Sequence, residues 1–186
     1  MVVNEKALIR LMKKDYRGSG YRAAKTLSRE DETEVLELEG ADWSCQISWE
    51  NIPNAVLGVI AVHLKTIPQM GECFVARRDD VHMSGTGWLE GMPEIKEDEK
   101  QVTVHRTPIV YDGHSCWQKY GNNGIVMVPV ETDELLLDFG REPILIDCGI
   151  YLEGKCSKVH VVQRSVWQLD EDEAAINYLS GRRWRG

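Results

Sequence analysis

The sequence predicts an α+β fold: a single domain over residues 1–186, mostly antiparallel sheet with about three or four helices. Three observations carry that expectation. A chain of 186 residues can fill one well-sized core. The stretches 4–15 and 51–68 repeat apolar residues at helical spacing, and "VLELEGADWSCQISW" between them alternates with period two. From residue 72 onward, short runs of branched residues are separated by Gly, Pro and Asn, the punctuation of strands.

The elements follow in order. Over 4–15, Ala7, Leu8, Leu11 and Met12 form one helical stripe, with Arg10, Lys13 and Lys14 towards the other side, and the glycines of "RGSG" end the helix. Residues 21–27 read as a weak strand. In the next segment Trp43, Cys45, Ile47 and Trp49 alternate with Ser44, Gln46 and Ser48, which predicts one buried and one wet face. "EVLELE" alternates as well, so "GAD" is a hairpin turn. A second helix follows, with Pro53 in its first turn, Asn51 or Asn54 as cap, and Val56, Val59, Ile60 and Leu64 inward.

"ECFVAR", "KQVTVHR", "PIVY" and "GIVMVPV" are strands. "TDELLLDFG" is expected to be a short helix from Thr132 to Gly140, and "PILIDCGIYL" and "SKVHVVQRSVWQL" flank a hairpin at "EGKC". "DEDEAAINYLSGRR" is expected to close the chain as a helix capped by Asp170. Residues 79–100 are the loosest segment, and 70–100 is where the domain would subdivide.

Candidate chemistry is sparse. A structural zinc site needs four Cys/His ligands, usually in close pairs. His114 and Cys116, or Cys148, Cys156 and His160, are the nearest approach, and none forms a C-x2–4-C pair. Cys116 beside His114 satisfies only the crudest requirement for an activated thiol. Pro143, Asp147, Glu153 and Lys155 echo the P-D…E-x-K pattern of metal-dependent nucleases. Along one strand those two acids would be roughly 20 Å apart, too far to share an ion. "SGTGWLEG" lacks a Walker lysine and reads as a loop. His63 continues an apolar helical stripe and is expected to be a hydrogen-bonded core residue. The expectation is therefore a protein that is not an enzyme and takes no metal or cofactor.

Charge is the most informative feature, because its two signs are segregated. The net charge is −8, yet residues 1–29 carry eight Lys/Arg against Glu5 and Asp15. Residues 30–51 carry eight acids and no Lys or Arg. Two surfaces follow. An acidic one would comprise Glu30, Asp31, Glu32 and Glu34 with Asp170, Glu171, Asp172 and Glu173, and would suit a basic protein partner. A basic one would comprise Lys13, Lys14, Arg17 and Arg22 with the tail Arg182, Arg183, Trp184 and Arg185, and would suit nucleic acid. No run approaches the roughly 18 apolar residues of a membrane span, and the start lacks a secretory apolar stretch. A cytoplasmic protein with reduced cysteines is expected, and its oligomeric state, a homodimer included, stays open.

"ALIRLMKKDYRGSGYRAA" followed by "DWSCQISWENIPNAVLGVIAVHL" resembles small phage and prophage proteins of Gram-positive bacteria, over about the first 65 residues. Some chains of that character are anti-CRISPR inhibitors of Cas9. The resemblance implies a stoichiometric inhibitor, acting in the bacterial host cytoplasm on Cas9 or its guide-RNA complex. The acidic surface is its natural contact, because such effectors are basic along their nucleic-acid channels. It implies no catalytic residue.

Overall fold

A computed structural model describes residues 2–84, 92, 93, 95, 101–111, 114–121, 124–130, 132–137, 142–146 and 149–162. Two α-helices lie within them: α1, Glu5–Arg17, and α2, Asn54–Leu64. Asn4 caps α1 by accepting from the Ala7 N–H at 3.2 Å, and Gly18 follows the helix and donates its own N–H to the Asp15 carbonyl. The inner stripe of α1 is Ala7, Leu8, Leu11 and Met12, and Asp15 continues it. For α2 neither Asn51 nor Asn54 is the cap: Pro53 holds that position without a side-chain bond, and Lys65 ends the helix in left-handed geometry.

Eleven antiparallel strands make one sheet. They are β1 (Tyr21–Leu27), β2 (Glu34–Glu39), β3 (Trp43–Ser48), β4 (Cys73–Arg77), β5 (Asp80–Met83), β6 (Val102–Tyr111), β7 (His114–Gly121), β8 (Gly124–Val130), β9 (Ile144–Ile146), β10 (Gly149–Glu153) and β11 (Ser157–Val162). Their spatial order is β5-β4-β1-β2-β3-β11-β10-β9-β6-β7-β8. The β1–β3 meander is thus extended on one side by β4 and β5 after α2, and on the other by the returning β9–β11. Pro108 has no N–H to give the ladder, and the β6–β7 register shifts between Arg106 and Val110. Thr107 bridges that break, its hydroxyl donating to the Cys116 carbonyl at 2.8 Å.

The pairings show which residues share a face. Leu36 lies opposite Ile47, Leu38 opposite Cys45, Cys45 opposite Val159 and Trp43 opposite Val161. With Tyr21, Ala23, Ile150 and Leu152 they form the apolar side of the core, on which α1 and α2 pack. Burying this many Leu, Ile and Val side chains, each worth about 1.5–3 kcal/mol, is the main term holding the fold together.

Three expectations need correction. The fold is mostly β and not α+β with three or four helices. The run at 132–140 forms only a 3-10 turn, Glu134–Leu136, among the described residues. Leu135 and Leu136 are both buried there, and Leu137 already returns to extended backbone, so the chain leaves the turn before an α-helix can propagate. Asp133 is also drawn away from capping by Arg106, whose Nε donates to it at 2.6 Å. The helix expected at 170–183 lies outside the described residues. Second, β3 has no wet face: Ser44 and Gln46 are buried along with Trp43 and Cys45. Third, β5 is a strand within the stretch expected to be loose.

Candidate functional site

The face of the sheet opposite the helices is polar yet covered. Glu37, Gln46, Lys158 and Glu153 align across β2, β3, β11 and β10, and the next row is Glu39, Ser44, His160 and Tyr151. Gln46 Nε2 donates to Glu37 Oε1 at 3.0 Å, and Lys158 Nζ reaches Glu30 Oε1 at 2.5 Å. A cleft of about 290 Å³ opens here, lined by Ser28, Glu30, Glu37, Gln46 and Lys158, and Met92, Pro93 and Ile95 border it. Its charges face opposite charges or hydrogen-bond one another, so the cleft ties the β1–β2 hairpin to β11.

That hairpin carries the acidic residues singled out in the sequence, and the fold treats them unequally. Glu30 pairs with Lys158, and Glu34 pairs with Lys25 at 2.9 Å. Lys25 also lies over the Trp49 ring, 4.1 Å from its centroid. Asp31 accepts from the Thr33 hydroxyl at 2.7 Å and the Thr33 N–H at 3.1 Å, and these bonds hold its carboxyl below its ordinary pKa. Glu32 stands at the tip with φ of 58°. Among the described residues, Asp31 and Glu32 are the two of these four acids without an ion-paired cation. Asp170, Glu171, Asp172 and Glu173 lie outside the described residues.

The basic residues behave differently. Lys13, Lys14 and Arg17 project from the outer side of α1, where Arg17 Nε donates to the Lys13 carbonyl at 3.1 Å. The Arg78 N–H donates to the Tyr16 carbonyl at 2.8 Å, which brings Arg78 of the β4–β5 turn beside them. Lys65, at the end of α2, completes the group. None of these five cations makes an ion pair within 4.0 Å among the described residues, whereas Arg10 is taken up by Glu134 at 2.9 Å. Arg22 is not part of the group: it sits on β1 opposite Glu39 and Val75, on the other side of the sheet. Arg182, Arg183, Trp184 and Arg185 lie outside the described residues. Lys65 and Arg78 were not legible as members, since only the packing of α1 on α2 and β4 unites them.

His63 sits under this cluster. Its ring stacks on Tyr16 with centroids 3.8 Å apart and planes 3° from parallel, and Nδ1 lies 2.9 Å from the Tyr21 hydroxyl. Burial, then Lys13 and Lys65, hold its pKa below the ordinary histidine value. The stability consequence has a definite sign. Below about pH 6.5 the unfolded chain takes up a proton that the folded state resists, so stability falls as pH drops through that region. Urea midpoints at pH 7.5 and 5.5 should differ more in the parent than in His63→Gln. An equal difference in both would show that His63 does not carry the effect.

The metal and thiol candidates do not assemble. Among the described residues no three His, Cys, Asp or Glu side chains converge as a metal site. Cys116 is buried on β7, with its Sγ 3.8 Å from the His114 carbonyl oxygen. Cys148 and Asp147 lie outside the described residues. The chain does reverse after Ile146, which pairs with Gly149, but β10 then carries Glu153 roughly 13 Å from that turn. Burial pushes the Cys45 thiol up to about 12 and raises that of Cys73. Iodoacetamide at pH 8 should therefore modify half-exposed Cys156 before Cys45 in the folded protein, as peptide mapping over time would read. Modification of both at one rate would contradict this placement.

No helix among the described residues is long and apolar enough to cross a membrane. Comparison of the chain with protein-family models, curated proteins and solved structures gave no match.

Proposed function

We propose that this protein is a non-enzymatic binding protein that engages a nucleic acid through the cationic end of α1. One observation carries the reading: five exposed cations from three elements gather there without an ion-paired carboxylate among the described residues, although acids outnumber bases in the chain as a whole. Phosphates are the ligands such a group attracts, and the attraction is local, so a net charge of −8 over the whole chain does not cancel it. The test is fluorescence anisotropy of labelled single- and double-stranded oligonucleotides, titrated with the protein at several salt concentrations. Binding that weakens steeply with salt supports the reading. No binding at low salt ends it.

The inhibitor reading has one geometric support. The β1–β2 hairpin tip holds Asp31 ionised and projects it with Glu32, two charges that the fold does not neutralise. If they contact a basic effector such as Cas9, Asp31→Lys/Glu32→Lys should abolish inhibition of target cleavage by a ribonucleoprotein panel. A folded double variant that inhibits as well as the parent would remove the hairpin from the mechanism, and no inhibition by the parent would remove the reading itself.

A further inference from the structure

The β5 strand is the outermost of the described strands on its side of the sheet, and all four of its residues are exposed. The Ser84 N–H donates to the Cys73 carbonyl at 2.8 Å, and alternation along the strand then aims the backbone groups of Val81 and Met83 at the open edge. Their side chains face the helix side of the sheet, since Val81 lies opposite Ala76 and Met83 opposite Phe74. Val81 is 38% and Met83 54% exposed. Beside them lies α2, which has no Lys, Arg, Asp or Glu in eleven residues and leaves Val62 64% exposed. Natural sheets usually blunt such an edge with lysine, proline or a bulge, and β5 has none of these.

The charges on this strand complement the same strand reversed. On the face away from the helices Asp80 and His82 sit two residues apart, in contact at 2.9 Å, and Arg77 lies opposite Asp80 on β4. A two-fold axis normal to the sheet keeps each face on its own side, so it can pass only through a residue position. Centred on Asp80 it would oppose two carboxylates, and centred on His82 two imidazoles. Centred on Val81 it sets each Asp80 against His82 of the partner subunit, a row of Arg77, Asp80 and His82 with alternating sign once the imidazole is protonated.

We propose that β5 pairs antiparallel with β5 of a second copy of this chain about Val81, forming a symmetric homodimer by edge-strand addition. Besides Asp80 and Arg77 on its own chain, His82 then faces the partner subunit's Asp80, so a protonated imidazole strengthens association. Sedimentation equilibrium of the full chain at pH 6 and pH 8 is the test. A dimer is expected, with a dissociation constant severalfold lower at pH 6. Val81→Lys should sediment as a monomer with an unchanged circular dichroism spectrum. Asp80→Lys should weaken the dimer, and Asp80→Lys/His82→Asp should restore it, which a merely unfolded variant could not do. A monomer at every concentration and pH overturns the proposal. So does a dimer that tightens from pH 6 to pH 8, or one that Val81→Lys leaves intact.

Discussion

Replacing Asp15 with alanine should destabilise the protein by about 3 kcal/mol, because the carboxylate is the shared acceptor of a buried indole N–H and a part-buried backbone N–H. Asp15 Oδ2 accepts from Trp43 Nε1 at 2.9 Å and from the Ala41 N–H at 3.2 Å. Alanine would leave the Trp43 indole N–H without a partner in a site closed by α1 and the β2–β3 turn, while the Ala41 N–H would have only water to turn to. Gly40 is the third member of this arrangement. A Cβ there would stand 2.2 Å from Asp15 Oδ2 and 2.2 Å from Trp43 Nε1, so even Gly40→Ala must part the hydrogen-bonded pair. Overpacking of this kind costs about 1–3 kcal/mol, and the lost bond adds to it. Urea denaturation of both single variants and the double variant measures the coupling. The double variant should lose clearly less than the two singles together, since both damage one bond. Strict additivity would mean that Gly40 acts elsewhere.

The largest functional effect is expected from Lys13→Glu/Arg17→Glu/Arg78→Glu. Hydrogen bonds to charged groups contribute about 1.5–3 kcal/mol each, so losing three phosphate contacts should weaken nucleic-acid binding about 100-fold or more. The dependence of log K on log salt should flatten by about one unit per lost contact. Both changes should come with only a small shift in thermal midpoint, because all three side chains are exposed and make no ion pair among the described residues, the one bond lost being that of Arg17 to the Lys13 carbonyl. Arg22→Glu is the control: it is equally basic but lies on the other side of the sheet, and should bind as the parent does. Equal losses from Arg22→Glu and the triple variant would mean that overall charge governs binding and that the α1 end is no site.

Much of the local structure could be read directly from the chain. The α1 stripe, the β2–β3 hairpin around "GAD" and the turn at "EGKC" depend on residues within one or two turns of each other. Asp15 was foreshadowed by that stripe, since it continues Leu8 and Leu11 at helical spacing, although its role as acceptor for Trp43 was not. β5 was missed because "DVHM" is short and half polar, and only its pairing with β4 makes it a strand. The run containing Leu135 and Leu136 was misread because nine residues with good helical signals still yield to the core that receives both leucines.

The amino-acid sequence by itself determined where the chain turns, which helix faces point inward, and that opposite charges are concentrated in adjacent segments. Only the tertiary structure decided what those charges do. It placed Lys158 against Glu30 and Lys25 against Glu34, which leaves the acidic hairpin half neutralised. It brought Lys65 and Arg78 to Lys13, Lys14 and Arg17 from distant parts of the chain, and sent Arg22 and Arg77 to the opposite face. The physical reason is that charge interaction depends on distance in space, while charge segregation in a sequence records only distance along the chain.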